Sequence, residues 1–310
     1  EELAWSPGLA PRPPPGLEAK LGSLVLLLLL PLACGLAPLC CFRQTLSSAD
    51  PRSPVLSLVS CFAGGVFLGT CLLDLLPDYL SSISAALEGL RVTLQFPLAE
   101  FILATGFFLV LVLEQVALAQ REPSALPEES RTLLPPATTT SSSSGSIQNP
   151  SAVPSGTGGA RGAIRAALLV SALALHAVLE GLALGLQEAE GAVLRVCLAL
   201  LLHKCAVAFS LALKLLRGHL RPPVIVASLS VFAMMSPLGV GLGTVVAAGA
   251  GPRQRLCRGV LEGLAAGTFF YITFLEILPQ ELGVPQHRVP KVILLLAGFA
   301  LVTAILFVKI

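Results

Sequence analysis

The sequence predicts an all-α polytopic membrane protein: eight transmembrane helices arranged as three, a central pair, and an inverted copy of the three. Hydrophobic residues fill 55% of the 310 positions and charged residues only 12%, about half the charge of a soluble domain. Eight stretches have the roughly 20 mostly apolar residues that a helix needs to cross a bilayer. An acid-and-proline pattern in the second stretch recurs in the seventh.

The spans fall at roughly 21–42, 55–80, 96–119, 163–187, 192–216, 222–249, 257–280 and 289–309. Charge, proline or polar runs separate them, as in Arg43-Gln44-Thr45 and Arg217-Gly218-His219. Leu21–Leu30 could pass for a signal-peptide core, but no clean small-residue cleavage site follows and the apolar run continues to Phe42. It therefore reads as the first span. Pro31, Pro38 and Pro237 lie within spans, where neighbouring helices can satisfy the freed backbone groups.

This gives residues 1–20 as an extracellular N-terminal tail, 21–119 as helices one to three, 120–162 as a cytoplasmic loop and 163–310 as helices four to eight. The loop is rich in Ser, Thr, Pro and Gly, including Thr138–Ser144, and cannot bury enough apolar surface to fold alone. It carries Glu129-Ser-Arg-Thr-Leu133-Leu134, the form of an acidic dileucine sorting signal that a clathrin adaptor would read from the cytoplasm. A slight Lys/Arg excess on the same side agrees with that orientation.

Some classes are excluded. A net charge of +2 with no basic cluster gives nucleic acid nothing to bind. Cys34, Cys61, Cys71, Cys197 and Cys205 lie in apolar runs without zinc-ribbon spacing, so they read as small apolar residues. Asn149-Pro150-Ser151 has proline at the forbidden position for N-glycosylation. No H-E-x-x-H or G-x-S-x-G motif supports an enzyme.

The repeat pairs Ala63–Pro77 of span two with Ala265–Pro279 of span seven. Gly65 matches Gly267, Phe67 matches Phe269, Asp74 matches Glu276 and Pro77 matches Pro279. The two spans cross in opposite senses, so the repeat is inverted, a signature of alternating-access carriers.

Charge inside a bilayer is costly, which makes each intramembrane ionisable residue a functional candidate. His176 and Glu180 in span four are four apart, on one helical face. Span five adds His203 and Lys204. Two imidazoles and a carboxylate suit Zn²⁺, while a hydrogen-bonded polar cluster is the plainer alternative. Asp74 and Glu276 fall one toward each membrane face, where each could collect or accept a cation or simply cap a solvated helix end. Glu114 and Glu262 lie in or near spans, and Glu262 could simply occupy an exposed first turn. His219 and His287 read as surface histidines.

These residues resemble the ZIP (Zrt-, Irt-like) metal transporters, solute carrier family 39, across all eight spans. The resemblance is strongest in His176-Ala-Val-Leu-Glu180-Gly181, Leu202-His203-Lys204, Ser236-Pro237-Leu-Gly239 and Leu275-Glu276-Ile-Leu-Pro279-Gln-Glu-Leu282. It implies a ZIP-type bundle and a zinc importer of the plasma membrane, with endosomal or ER pools allowed, both termini outside and the long loop inside. It further implies helices one, four, five and six moving against two, three, seven and eight in an elevator-like cycle, and allows a homodimer. Zn²⁺ would be cargo in this reading, with no cofactor.

The chain also departs from the family pattern. Lys204 stands where many relatives carry a second acid, Val207 where another carboxylate often lies, and Ser236 at a position acidic in some. That implies one metal site of His176, Glu180 and His203, with the ammonium standing in for a second cation. A broader importer of Fe²⁺, Cd²⁺ or Mn²⁺, or a polytopic receptor without transport, are the alternatives.

Overall fold

The computed structural model describes residues 17–46, 54–90, 96–119, 157–187, 190–218, 220–247, 252–283 and 288–309. Among these all regular structure is helical: α1 (Leu17–Leu46), α2 (Pro54–Gly69), α3 (Leu76–Gly89), α4 (Leu98–Ala119), α5 (Thr157–Gly185), α6 (Glu190–Arg217), α7 (Pro222–Val246), α8 (Pro252–Tyr271), α9 (Leu278–Leu282) and α10 (Arg288–Lys309). Helices α2 and α3 form one continuous span through a π-helical segment, Thr70–Leu75, and α8 and α9 do the same through Ile272–Ile277. Eight spans result, all long and apolar enough to cross a membrane. Most of the dileucine-bearing loop, with Glu129, Leu133 and Leu134, lies outside the described residues, as do His219 and His287.

Helices α1 and α5 begin earlier than the hydropathy pattern indicates, at Leu17 and Thr157. Lys20, expected in the tail, is instead buried in the first turns of α1 and donates to the Gly185 carbonyl at 2.8 Å. A cation thereby meets the negative end of the α5 dipole.

Each π segment has a proximate cause in its sequence. Pro77 and Pro279 have no N–H to donate to the carbonyl four residues back, so the ladder loosens just before each proline. The shared acids Asp74 and Glu276 sit within these loosened turns.

Packing extends the repeat beyond its sequence match. A Cβ on Gly65 would overlap the Leu295 carbonyl, and one on Gly267 the Leu103 carbonyl. A Cβ on Gly106 would meet Leu264, and one on Gly298 would meet Phe62. These are the same contacts made twice, α2 on α10 and α8 on α4, so α4 and α10 are repeat mates as well. Phe67 and Phe269, themselves mates, stack face to face with centroids 5.3 Å apart and planes 11° apart. The pseudo-two-fold axis passes between them.

Two groups of helices emerge from the contacts. Helix α1 packs on α6 and α7, and α5 on α7, in one group; α2 packs on α10, and α4 and α3 on α8, in the other. The groups meet where α5 lies on α8 and α2 on α6. Lipid adds no hydrophobic force between helices, so close approach through small residues holds such pairs together. Gly181 and Gly185 against Gly239 and Gly243 do this for α5 and α7.

Candidate metal centre

The cluster lies in the middle of the central pair. One turn of α5 separates His176 from Glu180, placing His176 Nε2 3.2 Å from Glu180 Oε1. Helix α6 brings His203 Nε2 to 3.0 Å from the same oxygen and Lys204 Nζ to 2.7 Å from Oε2. All four residues are at most 5% exposed. The candidate ligand atoms of His176, Glu180 and His203 lie within 4.8 Å of one another, the one such group found among the described residues.

The protonation of His176 follows from its neighbours. Its Nδ1 is 2.9 Å from the Ala265 carbonyl, and a carbonyl can only accept, so Nδ1 carries the proton. Thr268 Oγ1 lies 3.3 Å from the same nitrogen and donates its own proton to the Ala265 carbonyl at 2.7 Å. In the neutral ring Nε2 is then a bare lone pair facing a carboxylate oxygen. Two acceptors at that distance repel unless a proton or a metal cation sits between them. Phe269 packs against the imidazole, centroids 4.8 Å apart.

With the second imidazole of His203 and the anionic oxygen of Glu180, these are donors that suit a borderline divalent ion. Lys204 balances Glu180 when no ion is bound, and its ammonium lies 5.8 Å over the Phe232 ring.

The other residues singled out in the sequence fall along a path. A cavity of about 530 Å³ runs from Glu180 and His203 past Asp74 and Asp78 to Gln187, Arg195 and Arg258, at the bundle end opposite the long loop. Toward the loop, a cavity of about 270 Å³ holds Glu114 and Glu276 together, with Glu114 accepting from the Tyr271 hydroxyl. Ser236 is buried where α7 crosses Gly181, one residue from Glu180, and its carbonyl faces that glycine. Glu262 is not an exposed first-turn residue: it is 26% exposed, pairs with Arg258 at 3.2 Å and lines the large cavity. The packing of α8 beneath α3 and α5 accounts for the difference.

Reading the sequence missed Thr268 and Ala265, which look like ordinary apolar-helix residues and acquire a role only because α8 crosses α5. It also gave no role to Glu281, which falls just past the span read as 257–280 and gains its partners only from α6 and α2.

An eight-span helical bundle with an inverted repeat and a buried two-imidazole, one-carboxylate cluster defines a membrane protein built around a candidate metal-ion site. Residues 17–306 match the family model described as ZIP Zinc transporter. The chain is 55% identical over 320 residues to zinc transporter ZIP1 of Mus musculus, covering 100% of this chain and 98% of that protein. It is 54% identical over 321 residues to zinc transporter ZIP1 of Homo sapiens, with the same coverage, and 36% identical over 308 residues to zinc transporter ZIP2 of Mus musculus, covering 93% and 97%. The chain belongs to the ZIP zinc transporter family.

Proposed function

We propose that this chain imports Zn²⁺ across the plasma membrane by alternating access, with His176, Glu180 and His203 holding the ion midway. The observation that carries this is the buried three-donor cluster at the inner end of a cavity directed away from the long loop. With that loop and its dileucine signal in the cytoplasm, the cavity faces outside. Clathrin-adaptor binding follows from that signal, and endosomal or ER pools and a homodimer from the family resemblance.

The ion collects near Asp78 and Asp74, sheds water onto the two imidazoles and Glu180, and leaves toward Glu276 and Glu114 after the helix groups shift. Asp74 and Glu276 each sit in a π segment, where a carboxylate can point away from the regular helical face. The glycine-mediated contacts fall within each helix group, which supports two rigid bodies moving past each other. Zn²⁺ is cargo here, and the chain uses no catalytic chemistry or resident cofactor.

The same donors would accept Fe²⁺ or Cd²⁺, and with less preference Mn²⁺, so selectivity is tested by competition. The direct test is initial-rate uptake of radioactive zinc into cells expressing the parent, His176→Ala or Glu180→Ala at equal surface levels. Import by the parent and background rates for both variants are expected. A parent that moves no zinc would favour a non-transporting receptor, and variants matching an active parent would displace the site.

A further inference from the structure

Helices α5 and α6 form the central pair: α5 packs on α7 and α8 as α6 packs on their repeat mates α1 and α2, and each brings one histidine to Glu180. The helices facing them, α8 and α2, are repeat mates too, with Ala265 matching Ala63 and Thr268 matching Val66. The two histidines are nonetheless held differently. His176 Nδ1 has the Ala265 carbonyl at 2.9 Å and Thr268 Oγ1 at 3.3 Å, and Thr268 is fully buried. His203 lines a separate cavity of about 280 Å³ beside Ala63, Val66 and Thr70. Its Nδ1 has no hydrogen-bond partner among the described residues.

Helices α5 and α8 belong to different helix groups, so the bonds to His176 last only while the groups hold this arrangement. An outer-shell acceptor on Nδ1 fixes the ring orientation and raises the basicity of Nε2, and its loss typically weakens metal binding by about 10- to 100-fold. We infer that Thr268 and the Ala265 carbonyl are positioning groups that orient His176 for metal in the outward-open arrangement and release it when the helix groups shift. By the symmetry of the repeat, the opposite arrangement brings His203 against Ala63. There Val66 replaces the threonine and supplies no hydroxyl oxygen to accept from the ring. The ion would thus be held by a well-oriented imidazole facing outward and a less well-oriented one facing inward, which biases the inner position toward release. This rests on the carrier reading above.

The test uses the full chain with Thr268→Val, Thr268→Ser and Val66→Thr. Zinc uptake is measured for KM and Vmax at matched surface levels, and zinc binding to the purified proteins by titration calorimetry. Since the Ala265 carbonyl remains, Thr268→Val is expected to raise KM and weaken binding by about tenfold, the low end for an outer-shell loss. Its Vmax should change by less than about twofold. Thr268→Ser, which keeps the hydroxyl, should return both to parental values. Val66→Thr should lower Vmax without raising KM, because the ion is then held longer at the inner position. An unchanged KM and binding constant in Thr268→Val, or a Thr268→Ser variant as impaired as the valine, would overturn the assignment. An unchanged Vmax in Val66→Thr would overturn its mirrored half. Should the parent itself import no zinc, the carrier reading fails instead, and calorimetry on Thr268→Val still decides whether the hydroxyl orients His176.

Discussion

Glu180 and Glu281 are both buried glutamates, 5% and 2% exposed, and both take basic partners from α6. Around Glu180 these are His203 and Lys204, joined by His176 of its own helix. Around Glu281 they are Arg217, 2.8 Å away, and Lys214, 3.8 Å away, and Ser60 donates to it at 2.6 Å. The difference lies in what the partners can give up. A neutral imidazole offers a lone pair and can share a carboxylate with a metal. A guanidinium has no lone pair and keeps its charge. Glu180 therefore sits among groups that could exchange a proton or a metal, and Glu281 in an ion-pair lock that holds this arrangement. Their places agree with this: Glu281 ties α9 to α6 and α2, joining the two helix groups at the long-loop end, while the large cavity occupies the other end.

The largest effect should separate the two glutamates directly. Glu180→Gln keeps the shape but removes the anionic donor, and it should abolish zinc binding to the purified protein, measured by calorimetry. Glu281→Gln should leave that binding intact. Loss of zinc binding in Glu281→Gln with an intact fold would merge the two clusters into one functional unit.

Next in size is the response to pH, which only the imidazole cluster should show. A ring nitrogen must be free of its proton to bind metal, so zinc and protons compete for the same lone pair. Apparent KM for zinc should therefore rise as the pH is lowered from about 7.5 to about 5.5. Uptake that accelerates in acid would contradict ligation through these histidines.

The lock should register in stability. Removing one partner of a buried pair costs about 3–5 kcal/mol, but Arg217 is 27% exposed, so solvent screening lowers the expectation to about 1–2 kcal/mol. Glu281→Gln and Arg217→Gln should each lower the thermal unfolding temperature in detergent, and the double variant should lose less than the sum of the singles. Strict additivity would mean the pair does not interact.

Much of this was legible in the sequence, for identifiable reasons. Hydropathy alone yields eight spans because bilayer thickness imposes helix length. His176 and Glu180 are four apart on one helix, so their convergence follows from helical geometry. His203 and Lys204 come from the next span, so their place beside Glu180 depends on how α6 packs. The π segments were foreshadowed by Pro77 and Pro279. What stayed hidden depends on contacts between distant helices: Thr268 acquires a role only through α8 crossing α5, and Glu281 only through α6 and α2 closing over it. Gly106 and Gly298 show the same limit. Nothing around them in the sequence marks them as a pair, yet their backbone contacts make spans three and eight repeat mates.

Those contacts supply the smallest and most local prediction, which asks whether close packing within a helix group is as fixed as the lock between groups. A Cβ on Gly267 would run into the Leu103 carbonyl, and backbone cannot swing aside as a side chain can. Gly267→Ala must therefore push α4 away from α8, at a cost of about 1–3 kcal/mol, seen as a lower unfolding temperature in detergent. At Gly241 a Cβ would enter open space, with nothing within 4 Å of it. Gly241→Ala should therefore be neutral or gain a few tenths of a kcal/mol, up to about 1 kcal/mol, from helix propensity. Equal stability of the two alanine variants would mean that α4 and α8 tolerate separation. The group containing α2, α4, α8 and α10 would then not be the rigid body against which α5 and α6 move.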